Sequence, residues 1–171
     1  PPRGHYSVVH APFDKEEVTL ADLDSHPWPA PTVTDAPGLA QEAERLRRET
    51  DCALVAQMPG RIFSLGQFMC GFANWLVQLK INREFCEALL DRALDIQLVM
   101  ADATLKALGD RVDILYLADD YGGQTGPLIS PELFRRVFKP RMARLIAFLR
   151  ERSRAPIAFH SCGSVYALIP D

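Results

Sequence analysis

The amino-acid sequence predicts a parallel α/β fold, and three observations carry that reading. Three runs of strand length, 51–58 (DCALVAQM), 112–118 (VDILYLA) and 156–160 (PIAFH), are largely apolar rather than strictly alternating, as in strands covered on both faces. Between them lie helical patterns long enough to carry the chain back across a sheet, which parallel pairing requires. Polar residues suited to chemistry gather just after the runs, with nothing comparable before them.

The elements follow in order. The first 37 residues are dense in proline and turn formers, and are expected to form an arm that wraps the surface with Trp28 as its packing anchor. Leu39, Ala43 and Leu46 then recur at helical spacing among charges, giving a short amphipathic helix over 38–50. After the first strand, bounded by Pro59 and Gly60, come two short helical segments, 62–70 and 72–80, separated by Gly71. Asn82 offers an N-cap to a long helix in which Phe85, Leu89, Ala93, Ile96, Met100, Ala103 and Ala107 share one face, and Gly109 closes it. The second strand ends at Asp119, Asp120 and a glycine-rich turn, 121–126. Ser130 and Pro131 begin a helix running to about Arg152, with Pro140 expected to kink it. Eight basic side chains over 132–154 face two acidic ones and read as a solvated outer face, with nucleic-acid binding the remoter reading. The third strand leads into Ser161, Cys162, Gly163 and Ser164.

Composition narrows the class further. A chain of 171 residues with 48% hydrophobic and 24% charged residues can bury a sizeable core, and is expected to be a single domain over 1–171, with the arm at 1–37 and β/α units over 38–171. Disordered, collagen-like and coiled-coil readings are excluded. The formal net charge of −3 gives no reason to expect nucleic acid or an anionic membrane as partner, and no apolar stretch approaches the length of a membrane span. The four cysteines form no CxxC pair and no secretory signal is visible, so a reducing cytoplasm is expected. Cys52, Cys70 and Cys86 read as small buried hydrophobes; Cys162, two residues after a histidine, does not.

In a parallel α/β sheet the residues beyond the strand C-termini line one face and carry the site. Here these are Gln57, Met58 and Arg61, then Asp119, Asp120, Tyr121 and Gln124, then His160, Ser161 and Cys162. His160 and Cys162 stand two apart at a strand end, so an imidazole and a thiolate can reach one ion, and zinc accepts both. A third ligand must come from Asp119, Asp120, another cysteine or polypeptide outside this sequence. One of the two aspartates is expected to cap the turn, while the other orients substrate or moves a proton. The glycine turn lacks both the dinucleotide-binding and the P-loop patterns, so nucleotide binding is not supported.

The stretches 112–134, 138–141 (FKPR) and 159–165 (FHSCGSV), with 169–171 at the end, resemble the uroporphyrinogen decarboxylase superfamily, and within it the zinc-dependent corrinoid methyltransferases. The resemblance implies a (β/α)8 barrel, here a partial one, with its site at the C-terminal mouth of the strands. It implies zinc bound by His160 and Cys162, a third ligand outside the chain, and methyl transfer from a methylated corrinoid, carried by a corrinoid protein or supplied as free methylcobalamin, to a small thiol acceptor such as coenzyme M. On that reading Asp119 and Asp120 are catalytic, and Gln124, Tyr121 and Met58 contact substrate. Two rivals share the fold: metal-free decarboxylation of a porphyrinogen in tetrapyrrole biosynthesis, and an inactive barrel that only binds a partner or a like subunit as a homo-oligomer. The start at Pro1, without Met, and the end just past an apolar run suggest a cut segment, expected by itself to be inactive and prone to aggregation.

Overall fold

A computed structural model describes residue 8, residues 10–30 and residues 36–171. The chain runs through α1 (Leu20–Ser25), α2 (Ala36–Glu49), β1 (Val55–Gln57), α3 (Phe63–Cys70), α4 (Phe72–Ile81) and α5 (Arg83–Leu108). A 3₁₀ turn (Gly109–Arg111) leads to β2 (Ile114–Ala118), then α6 (Pro131–Leu133), a π-helical turn (Phe134–Phe138), α7 (Lys139–Arg152), β3 (Ile157–His160) and a last 3₁₀ turn (Tyr166–Leu168). The strands form one parallel sheet in the order β1-β2-β3, with Gln57 beside Tyr116 and Ala118 beside His160. This is the predicted arrangement of parallel strands and crossover helices, a portion of a (β/α)8 barrel.

The strands are covered on one side. Ala56, Leu115 and Leu117 are buried against Leu94, Leu98 and Leu105 of α5 and Leu145 and Leu149 of α7. Val55, Gln57 and His160 lie on the other side, exposed. The expectation of strands covered on both faces is therefore corrected: among the described residues, helices cover a single face of three strands. A second core joins the arm to α3, α4 and the start of α5 through Phe13, Leu23, Trp75 and Phe85, and continues to Tyr121 and Phe138.

The arm holds more structure than its prolines suggest. Phe13, Val18 and Leu23 are buried, and the Thr19 amide donates to the Asp22 carboxylate at 2.8 Å at the start of α1. Trp28 is the predicted anchor, its indole N–H donating to the Leu23 carbonyl. Residues 1–7, 9 and 31–35 of the arm lie outside the described residues.

Other expectations shift in detail. Asn82 precedes α5 but makes no side-chain cap; its amide donates instead to the Val18 carbonyl and ties the arm down. Cys70 and Cys86 are buried and burial pushes both thiols up to about 12, whereas Cys52 is exposed, because β1 begins three residues after it. Ser130 caps α6 as expected, accepting from the Leu133 amide at 3.2 Å. Before Pro140 the helix widens: the Lys139 amide reaches five residues back to the Phe134 carbonyl. Proline has no N–H to continue the ladder, and the wider turn absorbs the break.

The basic face is neither purely solvated nor free. Arg141, Arg144 and Arg152 pair with Asp91, Asp95 and Asp102, which recur along α5, while Arg135 and Lys139 hold Asp171. Arg141 is buried, with Nε and Nη2 both 2.7 Å from the Asp91 carboxylate. The face is a seam between α7 and α5. Among the described residues no helix is long and apolar enough to cross a membrane.

Candidate metal centre at the strand exits

Consecutive residues after β2 do different work because side chains alternate along a strand exit. Asp119 points beneath the sheet end and is 2% exposed. One carboxylate oxygen accepts the Ile62 and Phe63 amides at 2.9 and 2.7 Å, and the other accepts the Ser64 amide and hydroxyl at 2.8 and 2.6 Å. It thus satisfies amides at the start of α3, which lack partners within the helix. Both oxygens are occupied within the chain, so Asp119 acts as a structural anchor for the start of α3. It is the capping aspartate foreseen in the sequence, but what it caps is a distant helix rather than its own turn.

Asp120 faces the other way. Its Oδ1 accepts the Cys162 amide at 2.7 Å and lies 3.7 Å from His160 Nε2, which in turn is 3.2 Å from Cys162 Sγ. The donor atoms of Asp120, His160 and Cys162 all lie within 4.8 Å of one another, at a partly open surface. The hydrogen bond and negative charge of Asp120, with a smaller effect of burial, hold the Cys162 thiol above its ordinary pKa.

The segment bearing these ligands is clamped along its length to the exit of β2. The Asp119 amide donates to the His160 carbonyl, the Tyr121 amide to the Ser161 hydroxyl at 2.9 Å, and the Ser164 amide to the Gly123 carbonyl. Gly122 and Gly163 meet backbone to backbone: a side chain on Gly122 would strike the Cys162 carbonyl, and Gly163 also has φ near +74°. Both glycines are therefore needed for the close approach. Ser161, already among the strand-exit residues in the sequence, and Ser64 enter this network through their hydroxyls. Ser161 sat visibly between the two ligands, but nothing in the sequence marked Ser64.

Donor geometry favours a small, borderline-soft cation. Tetrahedral zinc with bonds near 2.0 Å to nitrogen and 2.3 Å to sulfur places those two ligands about 3.5 Å apart. The observed separation of His160 Nε2 and Cys162 Sγ, 3.2 Å, is slightly shorter, a difference that a small adjustment of two exposed side chains covers. The residues present thus suit zinc, with a carboxylate as a third donor.

The remaining predicted site residues divide. Gln124 is exposed and lines, with Gly122, Gly123, Cys162, Gly163 and Ser164, a cleft of about 520 Å³ beside the cluster. Tyr121 is 2% exposed, stacked on Phe63 and edge-on to Phe134 and Phe138. Burial, reinforced by Asp119, raises its phenol pKa far above the ordinary value. It belongs to the core, so its assignment to substrate is corrected. Met58 is 3% exposed and borders a different cleft, at the exit of β1.

A family model described as Uroporphyrinogen decarboxylase (URO-D) matches residues 4–171. The chain belongs to this family. Among solved structures, a methyltransferase from Methanosarcina mazei aligns with a TM-score of 0.60 at 22% identity, over 93% of this chain and 44% of that one. At that identity the likeness shows a shared fold, and this uroporphyrinogen decarboxylase family chain spans less than half the length of that neighbour. No curated protein matches it in sequence.

Proposed function

We propose that this chain carries part of a zinc-dependent methyl-transfer site, in which a methyl group passes from a methylated corrinoid to a small thiol acceptor of coenzyme M type. The observation that carries the reading is the convergence of Asp120, His160 and Cys162 donor atoms at the exits of two neighbouring strands. His160 and Cys162 would hold the ion, and Asp120 would supply a third donor. Zinc bound there would lower the pKa of an acceptor thiol, making thiolate available at neutral pH.

The chain's own residues position the rest. Ser161 and the Asp120 carboxylate fix the Cys162 backbone. Gln124, which lines the same cleft as Cys162, would hold the acceptor's polar end. In the transfer the acceptor thiol would release its proton to solvent and give its electron pair to the methyl carbon, while the pair of the broken cobalt–carbon bond would stay with the corrinoid. The corrinoid arrives at the open strand ends, on a corrinoid protein or as free methylcobalamin.

Metal-free porphyrinogen decarboxylation is the second reading, favoured by the family match itself. It assigns no role to an exposed thiol beside an imidazole. Metal analysis after purification with zinc separates the two. Methyl transfer predicts about one zinc per chain, at least tenfold weaker binding in Cys162→Ala and His160→Ala, and thiol-dependent demethylation of methylcobalamin by a longer polypeptide containing this segment. Absence of stoichiometric zinc from the unaltered protein refutes the reading.

A further inference from the structure

A cleft of about 810 Å³ opens where β1 leaves the sheet, between the arm, the 57–61 loop and α5. It shares no lining residue with the cleft beside Cys162. Its volume falls within the range of small-molecule sites, roughly 300–1,000 Å³. Trp28, Met58, Met69, Ile96 and Met100 make most of its wall apolar, and methionines adapt readily to an apolar guest.

Two polar features break that wall. Arg61, at the rim, extends over the Phe68 ring at 5.9 Å and has no carboxylate within ion-pairing distance among the described residues. Most arginines of α2, α5 and α7 do have such a partner, including Arg45, Arg92 and Arg144. The lining contains no aspartate or glutamate. Deeper in, Gln97 is 9% exposed; its Nε2 donates to the Arg61 carbonyl at 2.9 Å, which fixes the amide and leaves Oε1 with no donor among the described residues. A buried acceptor without a partner is costly and uncommon.

We propose that this cleft binds an amphipathic organic anion: an apolar body of naphthyl size against the methionines and Trp28, an anionic end at Arg61, and a hydrogen-bond donor directed to Gln97 Oε1. The unpaired cation, the absence of acidic residues and the orphaned acceptor together specify that chemistry. The site is independent of the metal centre.

The test uses the 171-residue protein and two fluorescent probes, 8-anilinonaphthalene-1-sulfonate and N-phenyl-1-naphthylamine, which is the same body without the sulfonate. The sulfonate should bind saturably at one per chain, with energy transfer that Trp28→Phe diminishes. Arg61→Gln, at an exposed position, should weaken the sulfonate about tenfold, the loss expected for one charge-assisted contact, and leave the uncharged probe unchanged. Cys162→Ala should alter neither, which separates this site from the proposed metal centre. Non-saturable binding, equal affinity for the two probes, or equal weakening of both by Arg61→Gln overturns the proposal. So does loss of probe binding as protein concentration rises with a doubling of sedimenting mass, which would assign the cleft to a second chain.

Discussion

Replacing Asp119 separates anchoring from chemistry. In Asp119→Ala, three buried amides and the Ser64 hydroxyl lose their acceptor at once. One unsatisfied buried group costs about 1–3 kcal/mol, and loss of a helix cap alone about 0.5–2 kcal/mol. Because the amides adjoin one another and water can reach some of them after truncation, the expected total is about 3–5 kcal/mol, a large share of a typical domain stability of about 5–15 kcal/mol. Asp119→Asn retains one acceptor oxygen and should cost roughly half as much, about 2 kcal/mol. Urea unfolding followed by circular dichroism measures both, and zinc titration of the folded Asn variant checks that the metal centre survives. If Asp119→Ala keeps the parental urea midpoint, the anchoring argument is wrong. If Asn unfolds normally but abolishes turnover in a longer polypeptide containing this segment, Asp119 acts in the chemistry after all.

Three further outcomes follow from contacts elsewhere. Arg141→Met, which removes a buried guanidinium held bidentately by the half-exposed Asp91, should cost about 2–3 kcal/mol, whereas Arg144→Met, at a pair with Asp95 exposed on both sides, should cost under about 1 kcal/mol; urea midpoints compare them. The Asp113 carboxyl lies below the usual range because it accepts the Leu54 amide and pairs with Arg47. A pKa lowered by folding stabilises the fold above the unfolded value, near 4, and loses that contribution as pH falls through the folded value. Asp113→Asn should therefore flatten the acid limb of a stability–pH curve, and an unchanged limb would refute the assignment. Thiol titration of the native metal-free protein should find Cys52 and Cys162 modified without unfolding, Cys162 slowed by the neighbouring Asp120, and Cys70 and Cys86 modified only on unfolding, with zinc protecting Cys162; four thiols modified in the native state would contradict the burial.

Much of this architecture is legible in local signals. The apolar runs at 112–118 and 156–160, the spacing on the long helix and the Ser130–Pro131 start each reflect interactions among near neighbours, and they place the elements within a few residues. His160 and Cys162 are legible for the same reason: alternation at a strand end is local. What escapes is settled by distant parts of the chain. Asp119 and Asp120 are indistinguishable as letters, yet the start of α3, 55–57 residues earlier, claims the first. Tyr121 looks like a loop tyrosine until Phe63, Phe134 and Phe138 surround it. The charges of α7 read as a solvated face because the acids that meet them lie on α5, about 50 residues away. Exposure of Cys52 likewise depends on where pairing with β2 begins.

The clamp between the exits of β2 and β3 bears on how the centre comes into being during folding. Asp120 and Cys162 are 42 residues apart and joined by a single crossover. The entropy of closing a loop grows only logarithmically with its length, about 0.6 kcal/mol per doubling, so the short crossover saves little over a more distant ligand; what it offers is early formation. One strand–helix–strand unit, once formed, brings all three donor groups together, and a cation captured at that stage would hold its two strand ends in register. On the proposed function, metal uptake and formation of this unit would then be a single cooperative event.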